Sequence, residues 1–181
     1  MSKASAVAGV LLAAGAGTRF GMPKVLAADG VWLHRAVAAL ADGVCDDVVV
    51  VLGAAVVDVP AGARAVIAPD WADGMSASLR AGLAAVDDAA WVVVHLVDLP
   101  DVPAEAVARV LLAARSAPSG LARATYGGRP GHPVVVARRH VAPLAGTLAG
   151  DEGARGYLAG RDDVVGVECG DVATGRDRDR G

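Results

Sequence analysis

Val10-Leu11-Leu12-Ala13-Ala14-Gly15-Ala16-Gly17-Thr18-Arg19-Phe20-Gly21-Met22-Pro23-Lys24 decides how the rest of this chain is read. The apolar run from Val7 to Ala14 has the length and composition of a strand buried on both faces. It breaks into glycine and small residues, then closes on two cations, Arg19 and Lys24. Glycines let backbone N–H groups approach an anion, and several converging N–H groups form a phosphate nest. Arg19 adds a planar fork for phosphate oxygens and Lys24 a mobile point charge. Strand, glycine loop and cations together read as a site for a polyphosphate. The bland alternative is a glycine-rich turn carrying two solvated cations.

Two familiar glycine loops fit poorly. A P-loop ends in Gly-Lys-Ser/Thr, which this loop lacks. A dinucleotide loop is closer, but Gly15, Gly17 and Gly21 give G-x-G-x-x-x-G, one residue too long. That motif also starts its helix inside the loop, where Met22-Pro23 disfavours one. The next strand ends near Leu52-Gly53 with no acidic residue for a ribose.

The pattern L-A-A-G-x-G-x-R-x-G-x-P-K instead resembles the signature loop of nucleotidyltransferases, in particular the molybdenum cofactor cytidylyltransferase branch, the MobA-like type. The resemblance implies that Ala13, Ala14, Gly15, Ala16, Gly17, Thr18, Arg19 and Lys24 wrap a nucleoside triphosphate.

Composition sets the frame. A chain of 181 residues is long enough for one three-layer core. The 54% hydrophobic share is mostly Ala and Val with a single Phe, so small side chains must fill that core. No apolar run reaches the ~18–20 residues of a membrane span, and the start of the chain does not read as a signal peptide. Cys45 and Cys169 are too few for a disulfide scaffold or a four-ligand zinc site. Two buried, reduced thiols in a cytoplasmic protein are expected. With a net charge of −3 and no basic stripe, nucleic acid is not an expected partner.

Along the chain, apolar spacing predicts a helix over Trp32–Ala41, a strand over Val48–Leu52, a loop over 54–62 and a strand over Ala63–Ala68. A helix over Ser76–Val86, a strand over Trp91–Val97 and a helix over Pro103–Ala114 follow. Strands alternating with helices predict a single α/β, Rossmann-like domain with a mostly parallel sheet. Ligands of such sheets sit beyond the carboxyl ends of the strands. The glycine loop and Asp98, in Val97-Asp98-Leu99-Pro100-Asp101, therefore share one edge. A carboxylate at a strand tip is costly unless paired. Mg²⁺ carried on nucleotide phosphates would pair it, and the alternative is a turn or cap. The resemblance implies the metal role, because Asp-x-Pro after this strand is where the family holds its ion.

Three further blocks resemble family segments. Gly74, Ser76 and Ser78 fall in the segment that lies near the base, with Ser76 able to cap the following helix. Trp71 reads as a packing anchor, and Ala68 stands where relatives commonly have Asn. His132, in Tyr126-Gly127-Gly128-Arg129-Pro130-Gly131-His132-Pro133, reads as held on a loop before a strand at Val134–Val136, on the acceptor side. In Leu148-Ala149-Gly150-Asp151-Glu152-Gly153-Ala154-Arg155, Asp151 can cap a short helix. Arg155 either binds an anionic acceptor or pairs with Asp151. The last strand is expected over Val164–Cys169.

Relatives end with Asp-x-Asp-Thr-Pro. Here Asp177-Arg178-Asp179 keeps the spacing, but Arg180-Gly181 replaces Thr-Pro. Residues 173–181 are thus expected to be a solvated tail from which Asp177 and Asp179 reach the metal only with nucleotide bound.

The expected activity is Mg²⁺-dependent transfer of a nucleotidyl group, with CTP favoured by Ala13-Ala14-Gly15, to a phosphate-bearing acceptor such as molybdopterin. Lys24, Arg19 and Asp98 are the expected catalytic residues. A nucleotide-binding protein without transferase activity, guanylyl transfer, and an NAD-binding dehydrogenase domain are the alternatives.

Overall fold

The computed structural model describes residues 6–86 and 88–179. β1 (Val7–Leu12) is buried at all six positions and lies at the middle of the sheet. The expected strand over 7–14 therefore stops two residues early, and Ala13-Ala14 already belong to the loop. Alternation along β1 sends Leu11 to one face and Val10 and Leu12 to the other.

On the first face pack α1 (Val31–Asp42) and α3 (Ala104–Ser116), through Leu33, Val37, Leu40, Val107, Val110 and Leu111. On the second pack α2 (Met75–Ala84), α4 (Val141–Thr147) and α5 (Arg155–Ala159), through Leu79, Leu83, Leu144 and Leu158. Small residues set the spacing of these layers. A Cβ on Gly82 of α2 would stand 2.4 Å from Val10 Cγ1, so only glycine lets that helix lie so close to β1.

The seven strands run in the order β3-β2-β1-β4-β6-β5-β7. β2 (Asp47–Leu52), β3 (Ala63–Ile67) and β4 (Trp91–Leu96) pair parallel with their neighbours around β1. β6 (Arg129–Ala137) is the exception, pairing antiparallel with β4 and with β5 (Leu121–Tyr126). β7 (Val165–Glu168) closes the edge parallel to β5. The single α/β domain with a mostly parallel sheet is as expected.

Two local readings are corrected. Residues 126–133 are not one turn: Tyr126 ends β5, Gly127-Gly128 make the turn at positive φ, and β6 begins at Arg129. His132 consequently lies within β6 and not on a loop. β5 and α4 had no expectation, since Ala122, Ala124, Ala142 and Ala145 blur both periodicities.

Glu168 pins the new hairpin. Its carboxylate accepts from Gly127 N–H (2.8 Å), Thr125 Oγ1 (2.9 Å), Gly170 N–H (2.9 Å) and Gly128 N–H (3.2 Å). The backbone donors of Gly127 and Gly128 and the Thr125 hydroxyl hold its pKa down to about 2. A depressed carboxylate stabilises the fold fully above its ordinary value of 4.5, and that stability is lost as pH falls toward 2. Glu168→Gln should lower Tm at pH 7 and remove part of the acid limb between pH 4.5 and 2. Melting curves across that window, with an unchanged acid limb counting against the assignment, check this.

Candidate active site

β1 and β4 lie side by side in parallel register, Leu12 opposite Leu96, so their carboxyl ends open on one edge. A cleft of about 570 Å³ lies there. Its floor and one wall are the loop from Leu12 to Phe20 with Lys24; the opposite wall is Trp71, Ala72, Gly74, Met75, Ser78 and Asp151. Leu96, Val97, Asp98 and Asp179 close the third side.

The loop's path depends on Gly17. At φ +62° any other residue is strained, and a Cβ there would meet Met22 O at 1.8 Å. The turn is closed by Gly21 N–H donating to Gly17 O at 2.8 Å. After Pro23 comes a 3-10 turn over Lys24–Gly30, kinked where Ala28 and Asp29 take positive φ. Phe20 rests on Trp32 of α1, ring centroids 5.2 Å apart, and anchors the far end of the loop. Arg19 stays exposed at the mouth of the cleft.

Lys24 is the centre of the site's electrostatics. Its ammonium donates to Asp98 Oδ2 at 2.7 Å and to Asp179 Oδ1 at 2.9 Å. Burial pulls the lysine pKa down, but the hydrogen bonds to Asp98 and Asp179 outweigh it and the net shift is upward. Asp98 lies two residues past the end of β4 with its side chain 16% exposed. The sequence reading gave Asp98 a metal, or else a turn or cap, as its partner, and the structure gives it an ammonium. Its second oxygen, Oδ1, is buried without a hydrogen-bond partner.

Residues 173–179, expected to be solvated, are seated against this edge. Thr174 donates from its backbone N–H (2.8 Å) and hydroxyl (2.5 Å) to Asp101 Oδ2, and Arg178 N–H donates to Asp98 O at 3.1 Å. Gly175 packs flat against the Tyr126 ring, where a Cβ would overlap it. Arg180 and Gly181 lie outside the described residues. The seating brings Asp98, Asp177 and Asp179 together, one oxygen from each within 4.8 Å of the others. A hydrogen bond shared with Asp179 raises the pKa of Asp177, while Lys24 and then Asp177 lower that of Asp179. Three hard oxygen donors, one on a residue with a further unsatisfied oxygen, match the ligands Mg²⁺ and Mn²⁺ take.

Of the other residues singled out, Gly74 and Ser78 line the cleft and Ser76 does not. Ser76 was read as a cap or base contact, but Gly74 is the N-cap of α2 and the Ser76 hydroxyl donates to Gly150 O at 2.5 Å. Asp151 was read as capping its own helix. It instead accepts from Met75 N–H at 3.1 Å and caps α2 from the neighbouring segment of the same wall. Trp71 packs on Gly53 as an anchor and also faces the cleft.

His132 and Arg155 are not on the cleft wall. His132 is half-buried in β6, and burial followed by Arg123 pushes its imidazole down to about 4. Arg155 opens α5, exposed, and among the described residues has no ion pair with Asp151. Arg123 on β5, not selected from the sequence, is the charged residue acting on His132 and itself feels the charge of Arg155. Neither thiol is a nucleophile: burial raises both, Cys45 to about 12. Among the described residues no helix is long and apolar enough to cross a membrane.

Residues 9–164 match the MobA-like NTP transferase domain. Nicotine blue oxidoreductase of Paenarthrobacter nicotinovorans is 37% identical, over 96% of this chain and 92% of its own. The crystal structure of the Mycobacterium tuberculosis Rv0371c homologue from Mycobacterium sp. strain JC1 superposes with a TM-score of 0.76 at 31% identity, over 99% of this chain and 92% of that one. That of Rv0371c itself in complex with manganese superposes with a TM-score of 0.71 at 27% identity, over 91% and 88%. The domain match runs from within β1 to the residue before β7, so the loop, the cleft walls and Asp98 all fall inside it, and the chain belongs to the MobA-like family of nucleotidyltransferases.

Proposed function

We propose that this protein transfers a nucleotidyl group, cytidylyl favoured, from a nucleoside triphosphate to a phosphate-bearing acceptor with release of pyrophosphate. The observation that carries the reading is the juxtaposition of the glycine loop with Lys24 and the Asp98-Asp177-Asp179 cluster in one cleft. Backbone N–H groups of Gly15–Thr18 and the guanidinium of Arg19 bind and orient the β- and γ-phosphates. Lys24 exchanges its carboxylate partners for the α-phosphate and neutralises charge as it builds there. The acceptor brings its own nucleophilic oxygen, so no serine or cysteine needs activating. Trp71, Gly74 and Ser78 form the side of the cleft that takes the base, the Ser78 hydroxyl being free to read an edge. Asp98, Asp177 and Asp179 would hold Mg²⁺ or Mn²⁺, which supplies Lewis-acid polarisation of the phosphate oxygens when bound.

A second reading rests on one observation. The relative at 37% identity is named an oxidoreductase, so the same cleft serving a reduced nicotinamide nucleotide is the alternative. Against it stands the absence of an acidic side chain at the end of β2, where Leu52 is followed by Gly53 and Ala54. A thermal-shift panel of CTP, GTP, ATP, UTP, NADH and NADPH with Mg²⁺ separates the two. A cognate triphosphate at about 100 times its Kd should add ~2.7 kcal/mol of stability. Stabilisation by NADH or NADPH with none of the triphosphates would favour the oxidoreductase.

A further inference from the structure

Arg123 sits in mid-β5, opposite Val134 of β6 and Gly166 of β7. Alternation puts it on the same face as Leu121, and Leu121 packs in one cluster with Ala154 and Leu158 of the α5 region. Arg155 follows Ala154 directly, so both arginines belong to the face between β5 and α5. Arg123 is half-buried and its Nε is buried without an acceptor. Several other arginines find one: Arg64 on Asp47, Arg109 on Asp171, Arg161 on Asp163, and Arg80 and Arg139 on carbonyls.

Of the carboxylates around β7 and α5, two are already engaged, while Glu152 beside Gly156 makes no ion pair among the described residues. Glu168 is held by Thr125 and three backbone N–H groups, and Asp163 by Arg161. Among the described residues Arg123 and Arg155 share no ion pair with any of them. The charge that Arg123 does feel is a like one: burial and then Arg155 lower its pKa. A desolvated guanidinium beside a second cation is unfavourable unless an anion completes the group. The strand position across from it is Gly166, which has no side chain to cover it. By antiparallel count from the Val94–Val134 pair, His132 falls level with Leu96 of the cleft wall, and the charge of Arg123 acts on His132, which puts Arg123 on that side of the sheet.

We propose that Arg123 and Arg155 form an oxyanion-binding site outside the nucleotide cleft, taking a phosphate or carboxylate group of the acceptor. The guanidinium fork of Arg123 grips two oxygens and Arg155 closes from α5. The assignment to the acceptor rests on the nucleotidyl-transfer reading; the site itself rests on the unpartnered arginine.

The test is calorimetric titration of inorganic phosphate into the nucleotide-free full chain, in wild type, Arg123→Met, Arg155→Ala and the exposed control Arg35→Ala. Phosphate bound by the glycine loop is common to all four. Loss of a charge-assisted pair should weaken the second phosphate site about tenfold in Arg123→Met. Arg155→Ala should weaken it several-fold and Arg35→Ala not at all. Arg123→Met should also melt at or above wild type without phosphate. Wild-type phosphate binding by a folded Arg123→Met overturns the proposal, and so does a lowered melting point with the second site intact. If that variant does not fold, unchanged phosphate binding by Arg155→Ala overturns it instead. Titrating phenyl phosphate and benzoate alongside identifies the source. Tighter binding of the esters or carboxylate than of phosphate supports an acceptor, and the reverse supports free phosphate. CTP binding is measured on the same samples and should be unaffected by Arg123→Met; its absence in wild type would fail the cytidylyl reading and leave the phosphate result standing.

Discussion

Replacing Lys24 by alanine should leave the fold intact and cut turnover by two to three orders of magnitude. At the end of the loop, Lys24 bridges the strand tip and the C-terminal segment, 2.7 Å from Asp98 and 2.9 Å from Asp179. Losing a single preorganised charge at a phosphate that becomes more negative costs ~3–4 kcal/mol of the barrier, which sets that range. The apo geometry adds a second expectation. The ammonium lies on two of the three carboxylates that would hold a metal, so in the free protein it acts as a tethered competitor for them. Lys24→Ala should therefore bind Mn²⁺ more tightly than wild type without nucleotide, read by electron paramagnetic resonance, while reacting more slowly with it. A folded variant with parental turnover, or with weaker Mn²⁺ binding, would remove Lys24 from its assigned place.

Asp98→Asn carries the other large effect. Only Asp98 of the three carboxylates comes from a strand end; Asp177 and Asp179 sit on residues 173–179, which have no regular secondary structure. Its Oδ1 has no hydrogen-bond partner, so an amide there keeps the shape and gives up the charge. Metal-dependent turnover should fall by about three orders of magnitude, the worth of ~4 kcal/mol of lost charge stabilisation. An isolated carboxylate at a strand tip would be relieved by neutralisation, whereas this one is paired, with 16% and 17% of the two side chains exposed. The variant should lose about 1 kcal/mol, the upper range for a partly solvated pair, because Lys24 keeps Asp179. Deleting Arg176 onward removes two of the three carboxylates but should reduce metal-dependent turnover by less than Asp98→Asn does. A truncated chain as inactive as Asp98→Asn would reverse that ranking.

The parallel half of the sheet was legible because its signals are local. Runs such as Val48–Leu52, with a glycine directly after, and the 3.6-residue spacing of Leu33, Val37 and Leu40 each specify an element without help from elsewhere. The loop was legible because an unusual backbone demands unusual residues, as Gly17 shows at φ +62°. β5 and α4 were not legible, since alanine satisfies either periodicity and only pairing with β6 or packing on Leu121 and Val136 decides. The seating of residues 173–179 was hidden for a different reason. An Arg/Asp alternation looks solvated when read alone, and what holds it, Asp101 on Thr174 and the face of Tyr126, lies at least 49 residues earlier in the chain. Ser76 and Asp151 were placed near the right wall with the wrong partners, because both contacts join α2 to residues 150–151, far apart in the chain.

The measurement that bears most directly on the whole account is pyrophosphate release from each of the four nucleoside triphosphates, with NADPH oxidation followed in the same preparation. Phosphorylated acceptors are supplied, and Mg²⁺ or Mn²⁺ is present or chelated. The cleft geometry predicts release from one preferred triphosphate, dependent on the metal, abolished by Asp98→Asn and without NADPH consumption. Metal-independent NADPH oxidation with no pyrophosphate from any of the four would contradict it.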